Sequence, residues 1–249
     1  MDAKTEYVLR IADACLIHGQ RLAEWCGHAP VLEEDIALTN VALDHIGQAR
    51  SLLTLAGTLE GRGRDEDALA FLREERDYRN PTLLELPTGD FAHTVLRAFL
   101  WASFMKVLCQ ALASSSQAQL AAIAAKSLKE VRYHQQHAGD WVVRLGDGSE
   151  ESMRRMREAL ALLWPYTAEW FVDDAIDAQA QASGLGPAWS SLKYTWMAEI
   201  QPVFDEAGLI PLADTPFRST GKRGVHSEHM GFLLAEMQSL PRAFPGAVW

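Results

Sequence analysis

The chain has 249 residues, of which 48% are hydrophobic and 22% charged, and its formal net charge is −10. This length allows one large or two small domains with a substantial buried core. An acidic chain without a basic stripe repels phosphate groups, so we expect neither nucleic acid nor a membrane as a partner. The three cysteines form no CxxC or zinc-type spacing, and the N-terminus carries no hydrophobic signal core. These features predict a cytoplasmic protein without disulfides, and we expect no apolar run of membrane-spanning length.

Hydrophobic residues recur at helical spacing along almost the whole chain, and no segment shows sustained strand-like alternation. The first half is predicted to begin with two helices, over 5–25 and 31–59. A long connection follows over 60–90, with a charged helical piece at 65–78. Asp90 then caps a third helix, and a fourth helix covers 117–145. Gly27 is expected to stop the first helix and Pro30 to open the second.

The last third is predicted to form helices over 152–164, 165–182, 187–206 and 225–240, with a loop over 210–224. Pro202 is expected to bend or end the third of these helices. Two helices, a long crossover and two more helices are the connectivity of a ferritin-like bundle. We therefore predict an all-α, ferritin-like four-helix bundle with a long crossover and additional C-terminal helices. No repeat or low-complexity linker divides the chain, which predicts a single domain over 1–249.

Bundles of this connectivity often hold two metal ions, bound by one Glu from each of two helices and a Glu-x-x-His pair from each of the others. On the second helix the inward positions carry His45 and Gln48 instead of Glu and His. On the fourth helix the position three residues before His134 is Val131, and Glu130 lies four residues before it. Neither helix therefore carries an intact pair.

The remaining two helices do not supply the missing carboxylates. The third has no Asp or Glu between residues 91 and 113, and the first offers Asp13 and Glu24, of which Glu24 is the preferred candidate. No di-iron centre is predicted. The polar residues at these vestigial positions are interpreted as a hydrogen-bonded structural network: Glu24, His45, Gln48, Glu130 and His134. The alternative is a metalloenzyme with a single ion held by His45, Glu130 and His134.

One compact basic cluster interrupts the acidic sequence, from Arg218 to Gly224. Lys222 and Arg223, flanked by glycines, suit an anion or a subunit interface. The alternative is a solvated loop, or one paired with acidic side chains of the same bundle. His226 and His229 are spaced to hold a metal on a first helical turn, but capping and packing at a helix start is the favoured interpretation.

Two further groups of residues are visible near the C-terminal third. An acidic run has helical spacing and is predicted to form a solvated face: Glu169, Asp173, Asp174 and Asp177. Four tryptophans belong either to the core or to a partner surface: Trp164, Trp170, Trp189 and Trp196.

Several segments together resemble one family, the C subunits of bacterial phenylacetyl-CoA ring-1,2-epoxidases. The segments are QRLAEWCGHAP at 20–30, LDHIGQAR at 43–50, KEVRYH at 129–134, GKRGVHSEH at 221–229 and LAEMQ at 234–238. In that family a multicomponent oxygenase epoxidises the ring of phenylacetyl-CoA, with a di-iron centre in its A subunit and electrons delivered from NADPH by a reductase subunit.

The resemblance implies a ferritin-like chain without a metal centre or other cofactor of its own. It also implies a role as a structural subunit in aerobic phenylacetate degradation, which pairs with and supports the di-iron catalytic subunit. Homodimerisation or a higher hetero-oligomer remains open. A third hypothesis is a self-associating helical scaffold with no link to an oxygenase.

Overall fold

The structure is a computed structural model that describes residues 2–213 and 215–247. Over these residues the chain forms α-helices and short 3₁₀ helices, and the only β-type pairing is an isolated bridge between Thr220 and Val225. The α-helices in chain order are α1 (Ala3–Ala23), α2 (Leu32–Glu60), α3 (Glu66–Phe71), α4 (Phe91–Leu112), α5 (Ala118–Gly146), α6 (Glu150–Thr167), α7 (Ala175–Ala182), α8 (Lys193–Glu206), α9 (Glu228–Met237) and α10 (Ser239–Ala243). The predicted all-α class is confirmed, and the helical architecture is consistent with a ferritin-like bundle.

The chain divides into two compact units. Unit 1 combines residues 2–87 with the C-terminal segment 219–247, and unit 2 comprises residues 88–213 and 215–218. The prediction of a single domain over 1–249 stays a prediction.

In unit 1, α1 and α2 pack against each other and bury their apolar seams. The Asp2 carboxylate caps α1 by accepting from the amides of Lys4 and Thr5. Gly27 lies in the left-handed region at φ 80° after the helix, as expected for a stop signal. The prediction for Pro30 is wrong, because α2 starts at Leu32 after an extended N-cap residue, Val31.

The crossover of unit 1 is less helical than predicted. The charged piece at 65–78 contains α3 and a 3₁₀ helix at Glu75–Asp77, and a second 3₁₀ helix follows at Thr82–Leu84. The reason is local, since the Arg73 Nε donates to the carbonyl of Leu69 and satisfies an acceptor at the C-terminal end of α3. The C-terminal segment forms a 3₁₀ helix at Gly221–Arg223, then α9 and α10, and α9 packs on the 3₁₀ helix at Glu75–Asp77.

In unit 2, α4 and α5 pack against each other, and α6 and α8 pack on both. Asp90 is the predicted cap of α4, and its carboxylate accepts from the His93 amide at 3.0 Å. The predicted helix boundary between residues 164 and 165 is wrong, and Pro202 does not end its helix, whereas the alternative that it bends the helix stays a prediction. Pro165 lies inside α6 and Pro202 inside α8, each near the C-terminal end, where proline removes one hydrogen bond without ending the helix.

Helix α4 contradicts the expectation that no apolar run reaches membrane-spanning length. It is long and apolar enough to cross a membrane by length and composition, with a mean hydropathy of 1.4 in its most apolar window. However, 83% of that window is buried inside the structure, as in the core helix of a globular unit.

The tryptophans and the acidic run of unit 2 are mostly interior. Trp170, Trp189 and Trp196 are fully buried, and the indole N–H of Trp196 donates to the Leu100 carbonyl at 3.1 Å. The predicted solvated acidic face is correct for exposed Asp173 but wrong for Glu169 and Asp177, which are buried. The capping box of α7 places Asp174 and Asp177 at a helix start rather than on an outer face.

Candidate functional site

The inward polar positions of α2 lie in the interface between α1 and α2. His45 and Gln48 are both buried. The Cys15 thiol of α1 is 3.6 Å from Gln48 Oε1, and the His18 ring meets the His45 ring edge-on at 4.9 Å between centroids. Gly19 lets the helices approach here, since an added Cβ would lie 3.2 Å from the His45 Cβ. The predicted inward orientation of His45 and Gln48 agrees with the structure.

Glu24 is not part of this interior. It is the C-cap residue of α1, its side chain is 34% exposed, and it forms an ion pair with Arg21 at 2.6 Å. The placement expected from sequence is therefore wrong. Glu24 directly follows the last residue of α1, at the exposed end of the helix, and the buried carboxylate of this helix is Asp13.

The corresponding positions of α5 lie in unit 2. Val131 and His134 are buried, so the residue that stands where a ligand carboxylate would be needed is an inward valine. Glu130 is partly buried and electrostatically coupled to Cys109 of α4. Burial, aided by the Glu130 charge, raises the pKa of Cys109 to about 12, which keeps this thiol protonated.

These donors do not match a di-iron centre. Such a centre needs four inward carboxylates with two histidines, but the predicted ligand positions hold an imidazole and an amide on α2 and a valine and a histidine on α5, and α4 has no acid. The alternative single-ion site would draw His45 from unit 1 and Glu130 and His134 from unit 2. Among the described residues no group of three or more His, Cys, Asp or Glu is placed to hold a metal ion. That the polar residues of both units share one network stays a prediction.

A buried ion pair that was not predicted from the sequence joins α1 to the crossover. Both carboxylate oxygens of Asp13 accept from the Arg73 guanidinium, one of them at 3.0 Å, and Asp13 also accepts from the Arg79 amide at 2.8 Å. Both side chains are essentially inaccessible. Burial opposes the charge of Arg73, but the adjacent Asp13 carboxylate outweighs it and raises the Arg73 pKa.

The same network continues to the C-terminal segment through Tyr78. The Arg73 guanidinium lies 4.2 Å from the centroid of the Tyr78 ring. The Tyr78 hydroxyl donates to the Ala70 carbonyl and accepts from the Gln238 amide at 2.8 Å. Burial raises the pKa of Tyr78 to about 12, so the hydroxyl stays neutral. Gln238, at the C-terminal end of α9, also donates to the Arg73 carbonyl at 3.0 Å, which ties the C-terminal segment to the crossover.

The predicted basic loop lies against the crossover in unit 1. Lys222 is buried, whereas Arg223 is exposed. The Gly221 amide donates to the Thr82 hydroxyl at 3.1 Å. Gly224 adopts φ 77°, and a Cβ there would overlap the Arg76 carbonyl. The loop is thus built into the fold, and its use as an anion or subunit site stays a prediction.

His226 forms the second buried ion pair of unit 1. Its Nδ1 is 2.6 Å from Glu85 Oε2 and its Nε2 is 3.1 Å from the Tyr78 carbonyl. Glu85 also accepts from the Ser227 amide at 2.6 Å and the Asn80 amide at 2.8 Å, so it is a carboxylate. Because both ring nitrogens face acceptors, the geometry requires an imidazolium. Burial lowers the pKa of His226, but the bond to Glu85 outweighs it and leaves the pKa raised.

His226 thus pairs with an acid of its own unit. It lies two residues before α9, so it supports packing at a helix start rather than a metal site. The other histidine, His229, contributes its carbonyl, which accepts from Arg21 at 3.5 Å. Arg21 in turn donates to the Glu85 carbonyl at 2.7 Å. Helix α1, the crossover and the C-terminal segment therefore meet at this point.

Unit 2 contains an open groove of about 690 Å³ bounded by α4, α5 and α8. At its edge the Lys106 ammonium pairs with Glu199 at 2.6 Å, and the Gln135 amide donates to Glu199 at 3.1 Å. Burial raises the Glu199 pKa, but these two donors outweigh it and leave the pKa lowered. The ion pair joins α4 to α8.

The fold and these positions define a class: an all-α chain, consistent with a ferritin-like bundle, in which His45, Gln48 and Val131 stand where a di-iron centre would need Glu, His and Glu. Sequence comparison supplies the family. Residues 1–249 match the family described as phenylacetic acid catabolic protein. The chain is 45% identical over 249 residues to the C subunit of the 1,2-phenylacetyl-CoA epoxidase of Escherichia coli (strain K12), and the match covers 100% of both chains. This chain therefore belongs to the phenylacetic acid catabolic protein family.

Proposed function

We propose that this chain is the non-catalytic C subunit of a phenylacetyl-CoA 1,2-epoxidase, which binds and stabilises a di-iron catalytic subunit during aerobic phenylacetate degradation. The full-length match to an epoxidase C subunit supports the assignment to this complex. The observation that carries the non-catalytic role is the donor set on the buried helix positions, with His45 and Gln48 on α2 and Val131 on α5 in place of metal-binding carboxylates.

The buried polar residues support a structural role for this chain. Asp13 pairs with Arg73, and Glu85 pairs with His226. These two interior carboxylates therefore form ion pairs that hold the crossover and the C-terminal segment. Carboxylates with cationic partners of this kind stabilise one arrangement of the chain, and they are not available as metal ligands.

The experiment is purification of the chain alone and after co-expression with the candidate di-iron subunit. We expect the two chains to co-elute on size exclusion, stoichiometric iron only in the complex, and phenylacetyl-CoA oxidation only when the di-iron subunit is present with its reductase. A chain that oxidises the substrate alone would contradict the proposal. So would a chain that fails to bind the di-iron subunit at micromolar concentration.

A matched control uses the buried positions themselves. His45→Leu in this chain should leave the iron content of the complex unchanged, because the residue is not proposed to bind metal. The same change at a ligand of the catalytic subunit should remove iron. Loss of iron upon His45→Leu, in a complex that still forms, would favour a metal-binding role for this chain.

A further inference from the structure

Helix α2 is apolar on two opposite faces in its first half. One face carries the seam that packs on α1, with Leu38, Val41 and His45 buried. On the other side Leu32, Ile36 and Leu43 are 73%, 55% and 62% exposed. These three residues define the outer row of α2.

Helical geometry explains why the two faces are separate. At about 100° per residue, positions 32, 36 and 43 lie within about 40° of one another, and His45 lies on the opposite side of the helix. The outer row extends over eleven residue steps, from Leu32 to Leu43, or about 17 Å at a rise of about 1.5 Å per residue. This is an aligned row of three aliphatic side chains, and among the described residues of unit 1 no helix covers it.

The second half of the same face is different. It continues with Gly47, Arg50 and Thr54. Arg50 donates to the Glu66 carboxylate at 3.1 Å, and the Thr54 hydroxyl donates to it at 3.3 Å. A solvent-facing helix surface is normally polar, as this half is. Single exposed apolar residues are common, but a row confined to one half of a helix face indicates a surface that is buried in an assembly.

The charges beside the outer row specify the partner. Two acids flank the row at its start, Glu33 and Asp35, and residues 32–49 contain no Lys or Arg. Asp35 is held in position because its carboxylate accepts from the Gly27 amide at 2.7 Å. Two copies of this surface would bring acids against acids, so its charge disfavours a second copy and favours a partner with basic residues.

We infer that the outer row of α2 is the docking surface for a helix of another subunit, which presents an apolar ridge flanked by Lys or Arg. The inference rests on the proposed function for the existence of that subunit and adds the surface and the chemistry of its partner. Helix-on-helix packing fits, because a row with spacings of four and seven residues matches the ridges of a second helix.

The test uses the full chain and the purified di-iron subunit of the proposed complex. The double variant Ile36→Ser with Leu43→Ser removes the apolar row at exposed positions, so its melting temperature should match that of the wild type. The matched control is Leu162→Ser with Tyr194→Ser, which removes comparable side chains, 55% and 87% exposed, from α6 and α8. Binding is measured by interferometry at low and high salt.

We expect the α2 double variant to weaken binding at least about tenfold and the control to stay within about twofold. Glu33→Lys should weaken binding at low salt and reduce its salt dependence, because it opposes a basic partner. If the wild type binds and the α2 double variant binds equally well, the inference is wrong and the proposed function stands. The inference is equally wrong if the control weakens binding as much, or if the double variant instead abolishes self-association. If the wild type does not bind the di-iron subunit at all, the proposed function itself fails.

Discussion

Replacing Asp13 by alanine probes the buried ion pair between α1 and the crossover. Asp13 is fully buried and accepts from the Arg73 guanidinium and from the Arg79 amide. In the variant the guanidinium stays buried without its counter-ion, and the Arg79 amide loses its acceptor. Breaking a buried pair on one side in this way costs about 3–5 kcal/mol. We therefore expect the free energy of unfolding to fall by about that amount.

The loss of stability in Asp13→Ala comes from the buried Arg73 charge that is left without a counter-ion, and not from the strength of the ion pair itself. Arg73 retains two carbonyl acceptors, Leu69 and Asp77, which soften the loss without neutralising the charge. Replacing both partners, with Asp13→Leu and Arg73→Met, removes the charges together and is often close to neutral. We expect the double variant to be at least about 2 kcal/mol more stable than the sum of the single changes predicts.

The assay is urea unfolding followed by far-ultraviolet circular dichroism, with both single variants and the double variant in one cycle. Asp2→Ala, which changes an exposed helix cap on the same helix, is a control and should cost only about 1 kcal/mol. A cost below about 1 kcal/mol for Asp13→Ala would refute the reasoning, because it would mean that Arg73 is not held as a buried charge. The reasoning would also be refuted if the stability changes of the two single variants simply added up to that of the double variant.

Three further predictions concern a buried histidine, the thiols and a glycine. The pKa of His226 is raised above 6.5, so its stabilisation is complete below pH ~6.5 and is lost as pH rises through the raised value. In urea unfolding at a series of pH values, the difference in free energy of unfolding between wild type and His226→Gln should shrink as pH rises through the raised pKa. A difference that stays constant with pH would argue against the imidazolium. Exposed Cys26 should react with a thiol reagent at pH 8 while buried Cys15 and Cys109 stay unreactive until the chain unfolds; fast reaction of all three would contradict this. Gly57→Ala should destabilise by about 1–3 kcal/mol, measured by urea unfolding, because its Cβ would overlap a loop carbonyl; a gain in stability would contradict the packing there.

The sequence predicted the helices well because their signals are local. Hydrophobic spacing, the Asp90 cap and the Gly27 stop act within a few residues, and the structure follows them. The predicted boundary at Pro165 was wrong for the same reason, and Pro202 does not end its helix. Pro165 and Pro202 carry a local breaking tendency, but packing of α6 and α8 outweighs the single hydrogen bond that each proline removes.

The candidate site was predictable in part. Spacing placed His45, Gln48, Val131 and His134 on inward faces, and all four are buried. It could not place Glu24, because the face of α1 that is buried at Asp13 and Ile17 is exposed at the end of the helix, where Glu24 is the C-cap residue. Equally, nothing in the spacing of Asp13 indicated that its partner would be Arg73, 60 residues later in the chain.

What the sequence determined by itself is the all-α class and the donor types available on each helix, since these follow from residue identity and a fixed helical period. Only the tertiary structure decided how the polar residues are used. Asp13 meets Arg73, and Glu85 meets His226 across 141 positions of sequence. The outer row of α2 likewise became visible only once burial was known. Exposure and pairing depend on which distant segments come together, and no local pattern encodes that.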